Sequence, residues 1–325
     1  MIYFKALATL IKNQMLKNPQ ISELSLGNNY QTFLLEENGL KYVLRLPLKK
    51  ASAKNRLEKS YLILKFIERE GVDFAEKNIF FDKDNNFLLT NYIAGKEVSV
   101  RDLNSRQLAD FIDKILFLKN LSFKKFNNFA QKEKININLF ENPSDRLLFL
   151  KRERFKNIKK NKKELLNFNF FEFEKWFKVN LMNLESYYCS KKYRKKDIFF
   201  DHGDVAGANI ILKNNSLIFI DWDNAKFTQD VGFSLANIFF YCGDFSSWFI
   251  EKFVSIYLKK AQNNDTSKKD LINDIEHGLK LIIFSGVLWS LESFIVSHKK
   301  DEKKSMEYFY DYQERLKSYN DFCNL

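Results

Sequence analysis

The residues best placed to do chemistry lie between His202 and Asp223. The segment His202-Gly203-Asp204-Val205-Ala206-Gly207-Ala208-Asn209 joins a short apolar run ending at Phe200 to a second that begins at Ile210. Twelve residues after Asn209 comes Asp221, at the end of a third apolar run, in Ile220-Asp221-Trp222-Asp223. The two strands of a hairpin place their outer ends together, so Asn209 before one and Asp221 after the other should converge. An amide oxygen beside a carboxylate suits Mg²⁺, a hard cation that takes oxygen ligands and keeps several waters. Asp204, five residues before Asn209 on the same loop, can then face an acceptor hydroxyl. Any one of these residues alone is explained as well by a solvated turn. The three together, each on a loop flanked by buried strands, point to a site.

Other parts of the chain must position that site. Ser22–Leu26, Gln31–Glu36 and Leu40–Leu46 read as strands, with Glu37-Asn38-Gly39 as a hairpin turn between the last two. Leu57, Tyr61, Leu64 and Ile67 then line one face of a helix over Asn55–Glu70, stopped by Gly71. Asn78–Phe81 and Phe87–Ile93 form a second strand pair, which predicts a five-stranded antiparallel sheet carrying one helix. From about Ser105 the periodicity is helical, interrupted only by the short runs Ile198–Phe200, Ile210–Leu212 and Leu217–Ile220. Each is too brief for a helix and reads as a short buried strand. The chain shows no internal repeat and no Pro- or Ser-rich linker. The boundary between its two parts is expected at a hinge near Tyr92–Gly95.

With these residues in view, the chain resembles the aminoglycoside-phosphotransferase and choline-kinase superfamily. The carriers are H-x-D-x-x-x-x-N and, about a dozen residues later, I-D-W; their spacing parallels the protein-kinase catalytic loop and D-F-G. The resemblance implies a protein-kinase-like two-lobed α+β fold, with a nucleotide-binding lobe over 1–94 and a catalytic, acceptor-binding lobe over 95–325. It implies ATP and Mg²⁺ as cofactors, Asp204 as catalytic base, and Asn209 and Asp221 as metal ligands. Tyr42-Val43-Leu44-Arg45-Leu46-Pro47 is similar to the third strand of these kinases, where an arginine replaces the protein-kinase lysine and grips phosphate. Glu58, in Arg56-Leu57-Glu58, would pair with Arg45; an exposed ion pair of little worth is the other reading. Asn28 lies in the expected nucleotide-covering loop, and the main chain of Asn91 to Ile93 would meet adenine.

Among these families the bacterial choline kinases look most similar, which makes a small amino alcohol, choline first, the expected acceptor. Trp289, Tyr241 and Trp248 are candidates for an aromatic cage around a quaternary ammonium, and core packing explains them equally well. Asp223 would hold a second metal or a substrate amine. Two acidic positions usual in choline kinases are here Ser234 and Tyr241. A thiamine or aminoglycoside kinase of the same fold, or a non-catalytic binding protein on a kinase scaffold, therefore stays open as an alternative.

Composition narrows the rest. With 45% hydrophobic and 29% charged residues in 325, the chain can bury a core without staples. The net charge of +12 is spread through a lysine-rich sequence with Asp and Glu interspersed. No nucleic-acid-binding motif accompanies it, so solvated helix faces are the expected reading and no nucleic-acid partner is expected. Cys189, Cys242 and Cys323 lie far apart, which suits a reducing compartment and argues against a disulfide framework or a structural zinc. Lys5 and Lys12 interrupt the apolar N-terminus, so an amphipathic helix is expected there and not a spanning segment. A cytoplasmic protein without membrane insertion is the resulting expectation.

Overall fold

The computed structural model describes residues 2–26, 30–48, 51–135, 139–161, 168–191, 193, 198–205, 207–262, 266–298 and 301–323. Asn28 and the loop around it lie outside the described residues. The chain divides into two compact units, one of 1–139 with 199–226, the other of 140–198 with 227–325. This grouping is not the division into 1–94 and 95–325 expected from the sequence, since 95–139 and 199–226 cluster with the N-terminal part.

The first unit is built on an antiparallel sheet of β1 (Gln20–Leu26), β2 (Tyr30–Glu37), β3 (Leu40–Pro47), β4 (Asn78–Asp82) and β5 (Phe87–Asn91), in the order β1-β2-β3-β5-β4. Alternation decides its faces. Leu35, Leu44, Leu46, Phe87 and Leu89 join a core with Ala6 and Leu10 of the amphipathic helix α1 (Ile2–Lys12). Arg45 sits opposite Thr32, and Val43 opposite Thr90, in the β3 registers. Helix α2 (Ala51–Arg69) connects β3 to β4 and buries Leu57, Leu62, Ile63, Leu64, Phe66 and Ile67. The five strands and single crossover helix are those expected from the periodicity.

A smaller sheet carries the chemistry. Strands β6 (Lys96–Glu97), β8 (Ile210–Lys213) and β9 (Ser216–Phe219) pair in the order β6-β8-β9. Asn214 and Asn215, both at positive φ, close the β8–β9 hairpin tightly. Strand β7 (Phe199–Asp201) precedes the loop to β8. Helix α3 (Ser105–Lys119) starts in a capping box between Asn104 and Gln107, and α4 (Phe123–Lys132) follows it.

The second unit is helical: α5 (Pro143–Phe149), a π-helical turn over Leu150–Arg154, α6 (Phe155–Lys160), α7 (Phe170–Ser190), α8 (Val231–Cys242), α9 (Ser247–Ala261), α10 (Lys268–His298) and α11 (Glu302–Cys323). The sequence held no sign of the π turn. Helix α10 is long and apolar enough to cross a membrane, yet 67% of its apolar window is buried inside the fold, as in a core helix. Helix α8 packs close against it because both carry glycine at the crossing. A Cβ on Gly278 would come within 2.7 Å of Ala236 Cβ and 2.9 Å of Phe233 Cα. Together the two units make an α+β protein with an antiparallel N-terminal sheet and a helical C-terminal part.

Candidate active site

Asp204, Asn209, Asp221 and Arg45 line a single cavity of about 540 Å³, whereas Glu58, His202 and Trp222 do not. Its walls include Thr32, Val43 and Arg45 from β2 and β3, Asn91 to Ile93 after β5, and Asp204, Asn209, Asp221, Asp223 and Asn224. The hairpin argument holds in detail. Ile210 pairs with Phe219, and the Ile220 N–H donates to the Asn209 carbonyl at 3.0 Å. Asn209 and Asp221 are thereby brought to one end of the hairpin.

The amide of Asn209 has a fixed orientation. Its Nδ2 donates to the Asp204 carbonyl oxygen at 2.9 Å, a bond only the nitrogen can make, which leaves the amide oxygen for a ligand. Asp221 adopts a left-handed backbone (φ 63°, ψ 69°), and its Oδ1 is buried with no hydrogen-bond partner among the described residues. An amide oxygen and an orphaned carboxylate oxygen on one cavity are the donors a hard divalent cation takes, with water and phosphate completing the shell. No cluster of three or more His, Cys, Asp or Glu with metal-site spacing occurs among the described residues. The residues present thus fit Mg²⁺ held jointly with a nucleotide, and do not form an all-protein cage.

Asp204 accepts a hydrogen bond from Asn224 Nδ2 at 3.1 Å, and burial raises its carboxyl above the usual range. The turn that presents it depends on Gly203. At φ +78° the residue is left-handed, and a Cβ there would lie 2.3 Å from the Asn224 carbonyl oxygen. Trp222 anchors the second turn. It is fully buried, donates from Nε1 to the Phe219 carbonyl at 3.2 Å, and packs its ring 4.3 Å from that of His202. His202 braces the loop by packing against that ring. Neither of its ring nitrogens has a hydrogen-bond partner among the described residues.

Arg45 is buried and positioned by a carboxylate other than the one expected. Its Nη2 lies 3.1 Å from both carboxylate oxygens of Glu76. Glu58 instead pairs with Lys83 at 2.8 Å, because its place in the first turns of α2 turns it towards the β4–β5 connection. Glu76 escaped the sequence reading since it belongs to no motif; its one signal is an acid between Phe74-Ala75 and the apolar stretch Ile79–Phe81. Asn224 and Tyr30 were missed too. The Tyr30 hydroxyl donates to Asp223 Oδ2 at 3.0 Å, and Arg56 Nη1 lies 3.5 Å from the same oxygen. Asp223, expected to hold a second metal or a substrate amine, therefore has its Oδ2 committed to the protein.

The buried acid and the buried base respond to pH in opposite senses. Burial, and then the Asp221 carboxylate, push Asp223 up to about 6. Burial pushes His202 down to about 4. A raised carboxyl favours the folded state at low pH, and that advantage is lost as pH rises through 6. A depressed imidazole favours folding above its ordinary value, and that advantage is lost as pH falls towards 4, a loss of roughly 3 kcal/mol. Between pH 4 and 6 the two offset one another. Asp223→Asn should leave the protonation of His202 unopposed, giving metal-free protein a steeper loss of stability on acidification than the wild type. Denaturant titrations in EDTA across this range check it, and parallel pH profiles would contradict it.

Tyr241 and Trp289 belong to the second unit, on α8 and α10. Tyr241 is 43% exposed and Trp289 37%. The guanidinium of Arg315 already lies over the Trp289 ring at 5.8 Å, and Tyr308 meets that ring edge-on at 5.5 Å. Trp248 is exposed, with Lys252 over its ring.

No protein-family model matches the chain, and no curated protein matches it. Solved structures do. A choline/ethanolamine kinase family protein from Mesorhizobium loti superposes with a TM-score of 0.68 at 14% identity, covering 100% of this chain and 96% of its own. Choline kinase LicA from Streptococcus pneumoniae gives 0.63 at 16% identity, covering 98% and 99%. The GDP complex of wild-type aminoglycoside 2'-phosphotransferase-IIIa gives 0.66 at 14%, covering 96% and 97%. Over nearly its whole length, then, this chain has the kinase-like α+β fold shared by the aminoglycoside phosphotransferases and the choline and ethanolamine kinases.

Proposed function

We propose that the chain is an ATP-dependent phosphotransferase that moves the γ-phosphoryl to the hydroxyl of a small amino alcohol, choline first. One observation carries the reading: Asp204, Asn209, Asp221 and Arg45 line one cavity, with the Asn209 amide oriented and Asp221 Oδ1 and Arg45 Nη1 without a hydrogen-bond partner among the described residues. Arg45 Nη1 would grip phosphate oxygens. The main chain from Asn91 to Ile93 would hold adenine. Asn209 and Asp221 would hold Mg²⁺, which when bound neutralises charge on the phosphates. Asp204 orients the acceptor hydroxyl and accepts its proton as the new phosphorus–oxygen bond forms and the bond to ADP breaks.

The acceptor rests on the resemblance to choline kinases and on Trp289 and Tyr241. Carboxylates that could replace the absent acid on α8 are engaged elsewhere: Glu292 with Arg154 at 3.1 Å, and Asp244 with the Ser246 N–H at 2.9 Å. Choline binding should accordingly be weak. The three free cysteines suit a reducing cytoplasm. The test is ADP release with choline, ethanolamine, thiamine and an aminoglycoside under identical conditions. Choline is expected to give the highest turnover. Turnover with thiamine or an aminoglycoside and none with choline would reassign the acceptor, and no ADP release with any alcohol would count against an enzyme.

A further inference from the structure

Glu76 lies outside every recognised motif, yet it touches two arms of the site. Its side chain is buried, with the residue 4% exposed. Oε1 accepts from the Asp221 backbone N–H at 2.8 Å and from Arg45 Nη2 at 3.1 Å, and Oε2 accepts from the same Nη2. Its own backbone is held by β9, the strand that ends two residues before Asp221. The Glu76 N–H donates to the Phe219 carbonyl at 3.2 Å, and Ala75 bridges to Phe219. One carboxylate therefore fixes the phosphate-facing arginine and the backbone of the metal-facing aspartate. That backbone is left-handed, a conformation costly for a residue with a Cβ and kept only where surrounding bonds hold it.

We propose that Glu76 is a positioning residue that couples metal binding to phosphate binding, by holding Arg45 and Asp221 in register. The proposal rests on the reading of this cavity as a Mg²⁺-nucleotide site. With Nη2 committed to Glu76, Arg45 keeps Nη1, buried and unpartnered among the described residues, for phosphate. With its N–H committed to the same carboxylate, Asp221 keeps Oδ1 for the metal. A shift in either partner moves the carboxylate and so the other partner. If Glu76 merely neutralised a buried arginine, its loss would weaken nucleotide binding equally with and without metal.

Calorimetric titration of ADP, in Mg²⁺ and in EDTA, separates the two roles. The wild type should bind ADP more tightly with Mg²⁺. Glu76→Ala removes both tethers and should shrink that Mg²⁺ advantage by about tenfold or more, the usual size of effect for groups that orient a metal ligand. Glu76→Gln keeps an oxygen for the Asp221 N–H but loses the charge opposite Arg45. It should weaken ADP by a similar factor in both conditions and preserve the Mg²⁺ advantage. Melting temperatures identify any variant that fails to fold; if alanine does, Glu76→Asp, which keeps the charge but is one methylene too short to hold both partners, should still shrink the Mg²⁺ advantage, and an unchanged advantage there overturns the coupling. A Mg²⁺ advantage in Glu76→Ala within threefold of wild type, or ADP binding by Glu76→Gln equal to wild type, overturns the coupling. A wild type that binds no nucleotide removes the underlying reading, and that outcome is visible before any variant is measured.

Discussion

Asp204→Ala is expected to lower phosphoryl transfer by about 10²–10⁴-fold, the range for a positioned general base, with ATP affinity changed little. The carboxylate lies on the cavity wall, held by Asn224 and presented by the left-handed turn at Gly203. Its partners belong to the loop and the turn, while under the proposed function Arg45 would grip phosphate and Asn209 and Asp221 would hold the metal. Removing it should therefore strike kcat and spare nucleotide binding. Asp204→Asn keeps the shape and the hydrogen bond to Asn224 but cannot accept the proton, so it should be nearly as inactive. Single-turnover rates beside equilibrium ATP binding give the measurement. Turnover within tenfold of wild type would show that Asp204 is not the base.

Asp221→Asn carries the second large effect, on binding instead of chemistry. Asparagine tolerates the left-handed backbone found at Asp221 and keeps the N–H that Glu76 accepts, so the turn should survive. What is lost is one negative charge and a strong oxygen donor. Mg²⁺-ATP affinity should fall by at least about tenfold. Thermal stability should be unchanged or raised, because the repulsion that raises the neighbouring Asp223 is relieved. Binding titrations and melting curves on the same samples check both halves. A variant that unfolds, yet binds Mg²⁺-ATP normally when refolded, would make Asp221 a structural residue.

Much of this site was legible in the chain because its logic is local. A hairpin of two short strands places Asn209 beside Asp221 whatever surrounds it, and the observed register does so. The sheet with its single helix followed from alternation and from a glycine stop, both properties of neighbouring residues. Arg45 was found through the resemblance of its strand to the third strand of the choline-kinase superfamily.

Its partner was not. Glu58 and Glu76 are both acids within reach along the chain, and no spacing rule distinguishes them. Choosing between them required knowing that the segment before β4 runs beside β9 while Glu58 turns to Lys83. The same holds for Tyr30, whose hydroxyl reaches Asp223 across 193 positions of sequence, and for Arg315, which covers Trp289 from a different helix. Local periodicity and turn chemistry determined the elements and the ends at which acids, amide and arginine stand. Tertiary packing decided which charges meet, because the pairing of a buried ion is settled by distance in space and desolvation, and neither is written in the separation along the chain.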